Sequence, residues 1–299
     1  MPSKRSQDML DLIHAHKKMA SDIGNGWLMK VAPPAEAVAR LHIRGTTGAA
    51  VTGLDMPAVM VTPDKAEIPD AVILHMHGGA YVSGGLLQCR TLISPICAAA
   101  GVRALTFSYR LAPQHPYPAQ LEDALRAYRY LTDAGISPRK IAFVGESAGG
   151  NLALALALRL RDAGEEMPAA IALLSPWVDL AQTGESYEAL ADVDATLDKD
   201  SLLKSAVEFA GSAERLTDAE ISPVYADFTG FPPVLIHCGT RELLLSDSEM
   251  LDRALLRDGV EAQLVRWEGM CHVFQAFGFE ESKAANSQIG QFLNKHLKD

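Results

Sequence analysis

Short, almost unbroken apolar runs alternate with stretches of helical period along most of this chain. Ala71-Val72-Ile73-Leu74 and Val234-Leu235-Ile236 are two such runs. Runs of this kind suit strands buried on both faces of a parallel sheet. The pattern predicts strands at 38–43, 58–62, 71–76, 102–108, 141–144, 171–174, 234–237 and 263–267. Between them Leu121, Ala124, Leu125, Tyr128 and Leu131 recur at a helical period, and 152–160, 247–257 and 284–297 also read as helices. Strand-helix alternation of this kind predicts a doubly wound α/β fold, with an eight-stranded, mostly parallel sheet flanked by helices. Two segments stand outside the rhythm. The chain up to about Lys30 reads as an amphipathic helix ended by Pro33-Pro34. Between Asp179 and Pro223 there is no strand pattern, only helical pieces such as 202–209. The plain reading is a long surface connection; a loop of this length with structure of its own is more often functional, and a lid is expected.

Composition narrows the classes. The 299 residues suit one large α/β domain, with 48% hydrophobic residues to fill its core. A net charge of -10 repels phosphate backbones and argues against a nucleic-acid partner. No run of about 18 apolar residues is present, so no membrane span is expected. Lys4 and Arg5 are followed by Asp8, Asp11, His14 and His16 rather than an apolar stretch, so a signal peptide is not expected either. Cys89, Cys97, Cys238 and Cys271 are scattered without CxxC spacing and read as reduced thiols, which with the missing export signal implies a cytoplasmic protein.

The chemistry begins at Gly145-Glu146-Ser147-Ala148-Gly149-Gly150, between the strand at 141–144 and a Leu- and Ala-rich helix. A serine on a strand-turn-helix corner too sharp for flanking side chains stands exposed beside the positive helix N-terminus, as a nucleophile requires. Alone, this pentapeptide arises by chance often enough to be only a modest signal. A second motif, His77-Gly78-Gly79-Ala80-Tyr81, follows the strand at 71–76, with Ser147 70 positions beyond His77. Acyl transfer needs backbone N–H groups aimed at a developing oxyanion, and a glycine loop in this place supplies them. Gly78, Gly79 and Ala148 are therefore the expected oxyanion hole.

These motifs, with Tyr109-Arg110-Leu111-Ala112-Pro113, His115-Pro116-Tyr117-Pro118-Ala119 and Ser175-Pro176-Trp177, resemble those of bacterial carboxylesterases of the hormone-sensitive-lipase-like group. The resemblance runs from about residue 70 to 275. It implies an α/β-hydrolase fold, a serine carboxylesterase acting on short to medium acyl esters, no cofactor or metal, and a homodimer as a plausible assembly. It also implies a helical cap, with an N-terminal part at 1–45 and an insertion at about 180–222 of a catalytic domain at 46–299. The chain departs from the family pattern at Ala80, where a third Gly is usual. Ser108, Gln114 and Glu146 are departures too, at positions where Asp, Glu and Asp are common.

The order Ser, acid, His in such enzymes leaves His272 and His296 as candidate bases. His296 lies among solvated positions of the last helix, whereas His272 follows a strand and the breaker Glu268-Gly269-Met270, so His272 is preferred. The acid belongs after the strand at 234–237. Aligning the family's Asp-Pro-Leu with Glu242-Leu243-Leu244 makes it Glu242, with Asp247 as the rival. His77 is expected to brace the oxyanion loop, Tyr81 is a candidate pocket residue, and Cys271, beside His272, is expected to be sensitive to thiol reagents. Lactone, amide or carbamate hydrolysis would use the same triad. A non-catalytic small-molecule receptor on this fold is the alternative outside the enzyme class.

Overall fold

A computed structural model describes residues 2–4, 6–8, 11 and 33–298. The helix expected up to Lys30 lies almost wholly outside the described residues. Eight strands form one sheet in the order β1-β2-β4-β3-β5-β6-β7-β8: β1 Thr46–Ala50, β2 Ala58–Pro63, β3 Val72–Met76, β4 Arg103–Phe107, β5 Ile141–Glu146, β6 Ala170–Leu174, β7 Val234–Gly239 and β8 Ala262–Trp267. The β1–β2 and β2–β4 pairs are antiparallel and the remaining five pairs are parallel.

The unbroken apolar runs have a simple cause. Val72, Leu74, Ile141, Phe143, Ile171 and Leu173 fill one apolar layer; Ile73, Ala142, Val144, Ala172 and Leu174 fill a second. Successive side chains point to opposite faces, so strands covered on both sides are apolar throughout. Helices α3 (Ala119–Asp133), α4 (Ala148–Asp162), α6 (Lys199–Ala210) and α7 (Leu245–Arg257) contribute to the first layer. Helices α2 (Leu86–Ala100) and α8 (Glu280–Lys298) contribute to the second. They pack closely: a Cβ at Gly290 would lie 2.6 Å from Ala99.

Two parts of the predicted pattern are corrected. Residues 38–43 are not a strand. Pro34 caps the short helix α1, Ala35–Ala39, whose alanines favour helix. The first strand is instead Thr46–Ala50, an edge strand of small residues, where a Cβ at Gly48 would come within 2.6 Å of the Ala39 carbonyl. Helix α2 was not among the predicted elements; it runs through Pro95 on its exposed side. The stretch from Asp179 to Pro223 holds no strand, only the helices α5 (Ser186–Ala189) and α6 and the 3-10 turn Ala213–Arg215. Among the described residues no helix is long and apolar enough to cross a membrane, and no cluster of side chains could hold a metal ion.

Candidate active site

The predicted reactive residues gather along the C-terminal edge of the parallel strands. Ser147 follows β5, Glu242 follows β7 and His272 follows β8. Ser147 adopts φ 55° and ψ -123°, a conformation that costs a non-glycine residue about 1–3 kcal/mol. Its neighbours hold it there. Its N–H donates to the Leu174 carbonyl at 2.9 Å, and its carbonyl accepts from Trp177 at 3.1 Å. The glycines are sterically required: a Cβ at Gly145 would sit 2.2 Å from the Gly149 carbonyl oxygen, and one at Gly149 2.0 Å from that of Met76. Helix α4 starts at Ala148, so its unpaired first amides and positive end lie at the serine.

Glu242 is fully buried, and its Oε2 accepts from Ser175 Oγ at 2.9 Å and from the Gly239 amide at 3.0 Å. Its other oxygen, Oε1, lies 3.5 Å from His272 Nδ1, within ion-pair range but longer than a hydrogen bond. The rival Asp247 is engaged elsewhere. Its Oδ2 accepts the amides of Val178 at 2.8 Å and Asp179 at 2.9 Å, and burial pushes its carboxyl well above the usual range.

The loop expected to form the oxyanion hole departs from expectation at Gly78. Its amide donates to Glu146 Oε1 at 2.8 Å and is therefore not free for a substrate oxygen. Glu146 Oε2 lies 2.8 Å from His75 Nε2, and His75 Nδ1 is 3.0 Å from Thr106 Oγ1, so a buried polar chain runs from β4 through β3 to the loop. The His77 ring donates from Nδ1 to the Gly78 carbonyl at 2.6 Å and stacks on Tyr109 at 4.0 Å. Burial pulls its pKa down to about 4, so it is neutral near pH 7 and braces the loop. Ala80 sits at φ 52°, a left-handed conformation that explains why glycine is usual there.

Tyr81 does not line a pocket. It has no exposed surface, stacks on Phe209 at 3.8 Å and donates from its hydroxyl to Asn151 Oδ1 at 2.8 Å. Asn151 in turn donates to the carbonyls of Trp177 and Ile221, at 3.1 and 2.9 Å. Cys271 is also buried, and burial pushes its thiol far up, so the expected reactivity is not supported.

The stretch from Asp179 to Pro223 packs on the loop after β3 and is hydrogen-bonded to the loop of Glu242. Phe209 meets Tyr81, while Asp194 Oδ2 accepts the Leu243 amide at 2.8 Å beside Glu242. The described N-terminal residues lie near the His272 loop: Ser3 donates from its amide to Glu281 Oε1 at 2.5 Å, and a Cβ at Gly269 would sit 2.3 Å from Pro2. A cavity of about 360 Å³, lined by Val234, Glu261, Gln288 and Lys295 among others, contains none of the site residues.

A fold and a strained serine turn of this kind define an α/β-hydrolase. Residues 73–276 match the sequence profile of the alpha/beta hydrolase fold family, and the chain belongs to that family. It is 38% identical over 224 residues, 74% of each chain, to a Streptomyces hygroscopicus protein named acetyl-hydrolase. It superposes on an esterase from the bacterial hormone-sensitive lipase family with a TM-score of 0.86 and 33% identity, covering 99% of this chain and 100% of the other. The esterase EstE5, solved after soaking with p-nitrophenyl butyrate, gives a TM-score of 0.84 and 34% identity, over 96% of this chain and 99% of the other.

Proposed function

We propose that this carboxylesterase hydrolyses short to medium acyl esters through a Ser147-Glu242-His272 triad and an acyl-enzyme. The observation that carries the reading is the strained Ser147 turn on the same sheet edge as a buried carboxylate 3.5 Å from the His272 ring. His272 removes the Ser147 proton as the hydroxyl attacks the ester carbonyl, then protonates the leaving alcohol. Glu242, held at Oε2 and facing His272 with Oε1, keeps the imidazole oriented and stabilises its positive form. Water repeats the sequence on the acyl-enzyme. Because the Gly78 amide is taken by Glu146, the amides of Gly79 and Ala80 join that of Ala148 as the oxyanion donors. The acyl range draws support from the EstE5 soak with a butyrate ester.

The stretch from Asp179 to Pro223 and the described N-terminal residues act as a cap over this edge, a reading supported by the Asp194 bond to the Glu242 loop and by the approach of Pro2 to Gly269 in the His272 loop. Four free thiols suit a cytoplasmic setting, and a homodimer is the expected assembly, to be tested by sedimentation.

Ser147→Ala should abolish hydrolysis of p-nitrophenyl butyrate while the protein stays folded; undiminished turnover would overturn the mechanism. A panel of esters, lactones and anilides separates ester hydrolysis from its chemical relatives. Labelling by a fluorophosphonate excludes a receptor without an activated serine.

A further inference from the structure

Ser175 follows β6 directly and opens the Ser175-Pro176-Trp177 stretch, to which the mechanism above gives no role. It is fully buried, with φ 49°. Its amide donates to the His237 carbonyl of β7 at 2.6 Å, which fixes the residue at the sheet edge. From there one oxygen makes two bonds. Oγ donates to Glu242 Oε2 at 2.9 Å and accepts the Val273 amide at 3.1 Å. Val273 immediately follows His272 and is itself held at φ 48°.

We propose that Ser175 is the positioning residue of the acid–base pair, its hydroxyl setting the Glu242 carboxylate and the His272 loop against each other through one shared oxygen. The inference rests on the reading of Glu242 as the acid. A hydroxyl offers one donor and two acceptor sites, and here the donor fixes the acid while an acceptor fixes the loop of the base. Removing it leaves the Val273 amide unpaired and Glu242 Oε2 with the Gly239 amide alone. The terminal torsion of a Glu side chain is soft, so a carboxylate with one fewer anchor swings away from the imidazole. The strained backbone after His272 loses its tie at the same time. Both effects displace the base and leave the ester's binding surface alone, so the loss belongs in kcat and not in KM.

The test is a double-mutant cycle on p-nitrophenyl butyrate hydrolysis, with thermal unfolding to verify that each variant is folded. Ser175→Ala should lower kcat about 10- to 100-fold, with KM within about twofold of the parent. In a Glu242→Ala background the same change should cost clearly less than in the parent, because only the tie to Val273 is left to lose. Ser175→Cys, of similar volume and with a weaker donor, should fall between; it replaces Ser175→Ala in the cycle if the alanine variant does not fold. An equal loss in both backgrounds, or a loss confined to KM, overturns the proposal while leaving Glu242 as the acid. Parental turnover in Glu242→Ala alone overturns the reading of the acid, and this inference with it.

Discussion

Glu146, beside the proposed nucleophile Ser147, is the residue whose replacement tests most about the site. Its two oxygens are partnered by the Gly78 amide and by His75 Nε2, each at 2.8 Å, and the side chain is 1% exposed. Glu146→Ala leaves both buried partners without a bond. At about 1–3 kcal/mol for each unsatisfied buried group, the loss is about 2–6 kcal/mol. For a chain of 299 residues that lowers the melting temperature by about 3–10 °C. The freed Gly78 amide also lets the loop carrying Gly79 and Ala80 shift, so kcat should fall about 10- to 100-fold. Glu146→Gln separates hydrogen bonding from charge. Its carbonyl still accepts from Gly78, and its amide donates to His75 Nε2, provided the imidazole proton moves to Nδ1 and donates to Thr106. The expected loss is then about 1 kcal/mol, the difference between a charged and a neutral bond. Differential scanning fluorimetry and steady-state kinetics on the two variants decide the matter. If Glu146→Ala melts within about 2 °C of the parent with unchanged kcat, or if Glu146→Gln does equal harm, the bridge does not hold the loop as argued.

Gly149→Ala places a methyl group 2.0 Å from the Met76 carbonyl oxygen, a backbone atom that cannot swing aside, and should destabilise the protein by about 3 kcal/mol or more; a parental melting temperature would refute the steric account. Iodoacetamide applied to the native protein should leave turnover intact, because Cys271 is buried with its thiol pushed far up; stoichiometric inactivation with Cys271 labelled in the mass spectrum would contradict this. Asp247→Asn should retain turnover, since its side-chain oxygen still accepts the amides of Val178 and Asp179. The parent carboxyl is raised on folding, so its contribution to stability is complete below the unfolded pKa of about 4 and is lost as pH rises through the folded value. Asp247→Asn removes that loss, so its melting temperature should gain on the parent from pH 5 to pH 8; a constant difference would show that the carboxyl does not titrate in this way.

The legible part of this chain was the part with a physical reason to be repetitive. Strands covered on both faces are apolar almost without interruption, which made β3, β5, β6 and β7 plain, although β5 and β7 run on through Gly145-Glu146 and Cys238-Gly239, which carry no apolar signal; the half-exposed β8, with its Gln263 and Arg266, was one of seven of the eight that were visible. The eighth, β1, is an edge strand of Thr, Gly and Ala, and its place was taken by 38–43, where Val38, Arg40, Leu41 and His42 mimic alternation. Helix α2 was hidden by Pro95, which its exposed side tolerates. At the site, the serine motif and the chain order pointed to Ser147 and His272, because the chemistry requires them, whereas Glu242 came only from the resemblance of its loop to the family's Asp-Pro-Leu. The role of Gly78 did not follow, since the group that occupies its amide lies 68 positions away and no local pattern reports such a bond. Tyr81 was misread for a related reason. The direction of its ring depends on a backbone φ of 64°, which tyrosine rarely adopts and which nothing in its neighbours announces.

Backbone strain ties these observations together. Six described non-glycine residues have positive φ: Ala80, Tyr81, Ser147, Ser175, Gln182 and Val273. All but Gln182 lie in loops after β3, β5, β6 and β8, around the candidate site. Each such conformation costs about 1–2 kcal/mol for a residue with a Cβ, so their concentration needs a compensating structure. The compensation is mutual. Ser147 donates to the carbonyl of Leu174, whose successor Ser175 donates to His237 and accepts from Val273. Tyr81 is pinned through Asn151 to the carbonyl of Trp177, two residues beyond Ser175. Relaxing one strained residue therefore requires moving the next. A linked set of this kind, seated on a sheet with two filled apolar faces, gives loops from four strands a single arrangement, which the proposed site requires, with its nucleophile after β5, its base after β8 and its acid after the neighbouring β7.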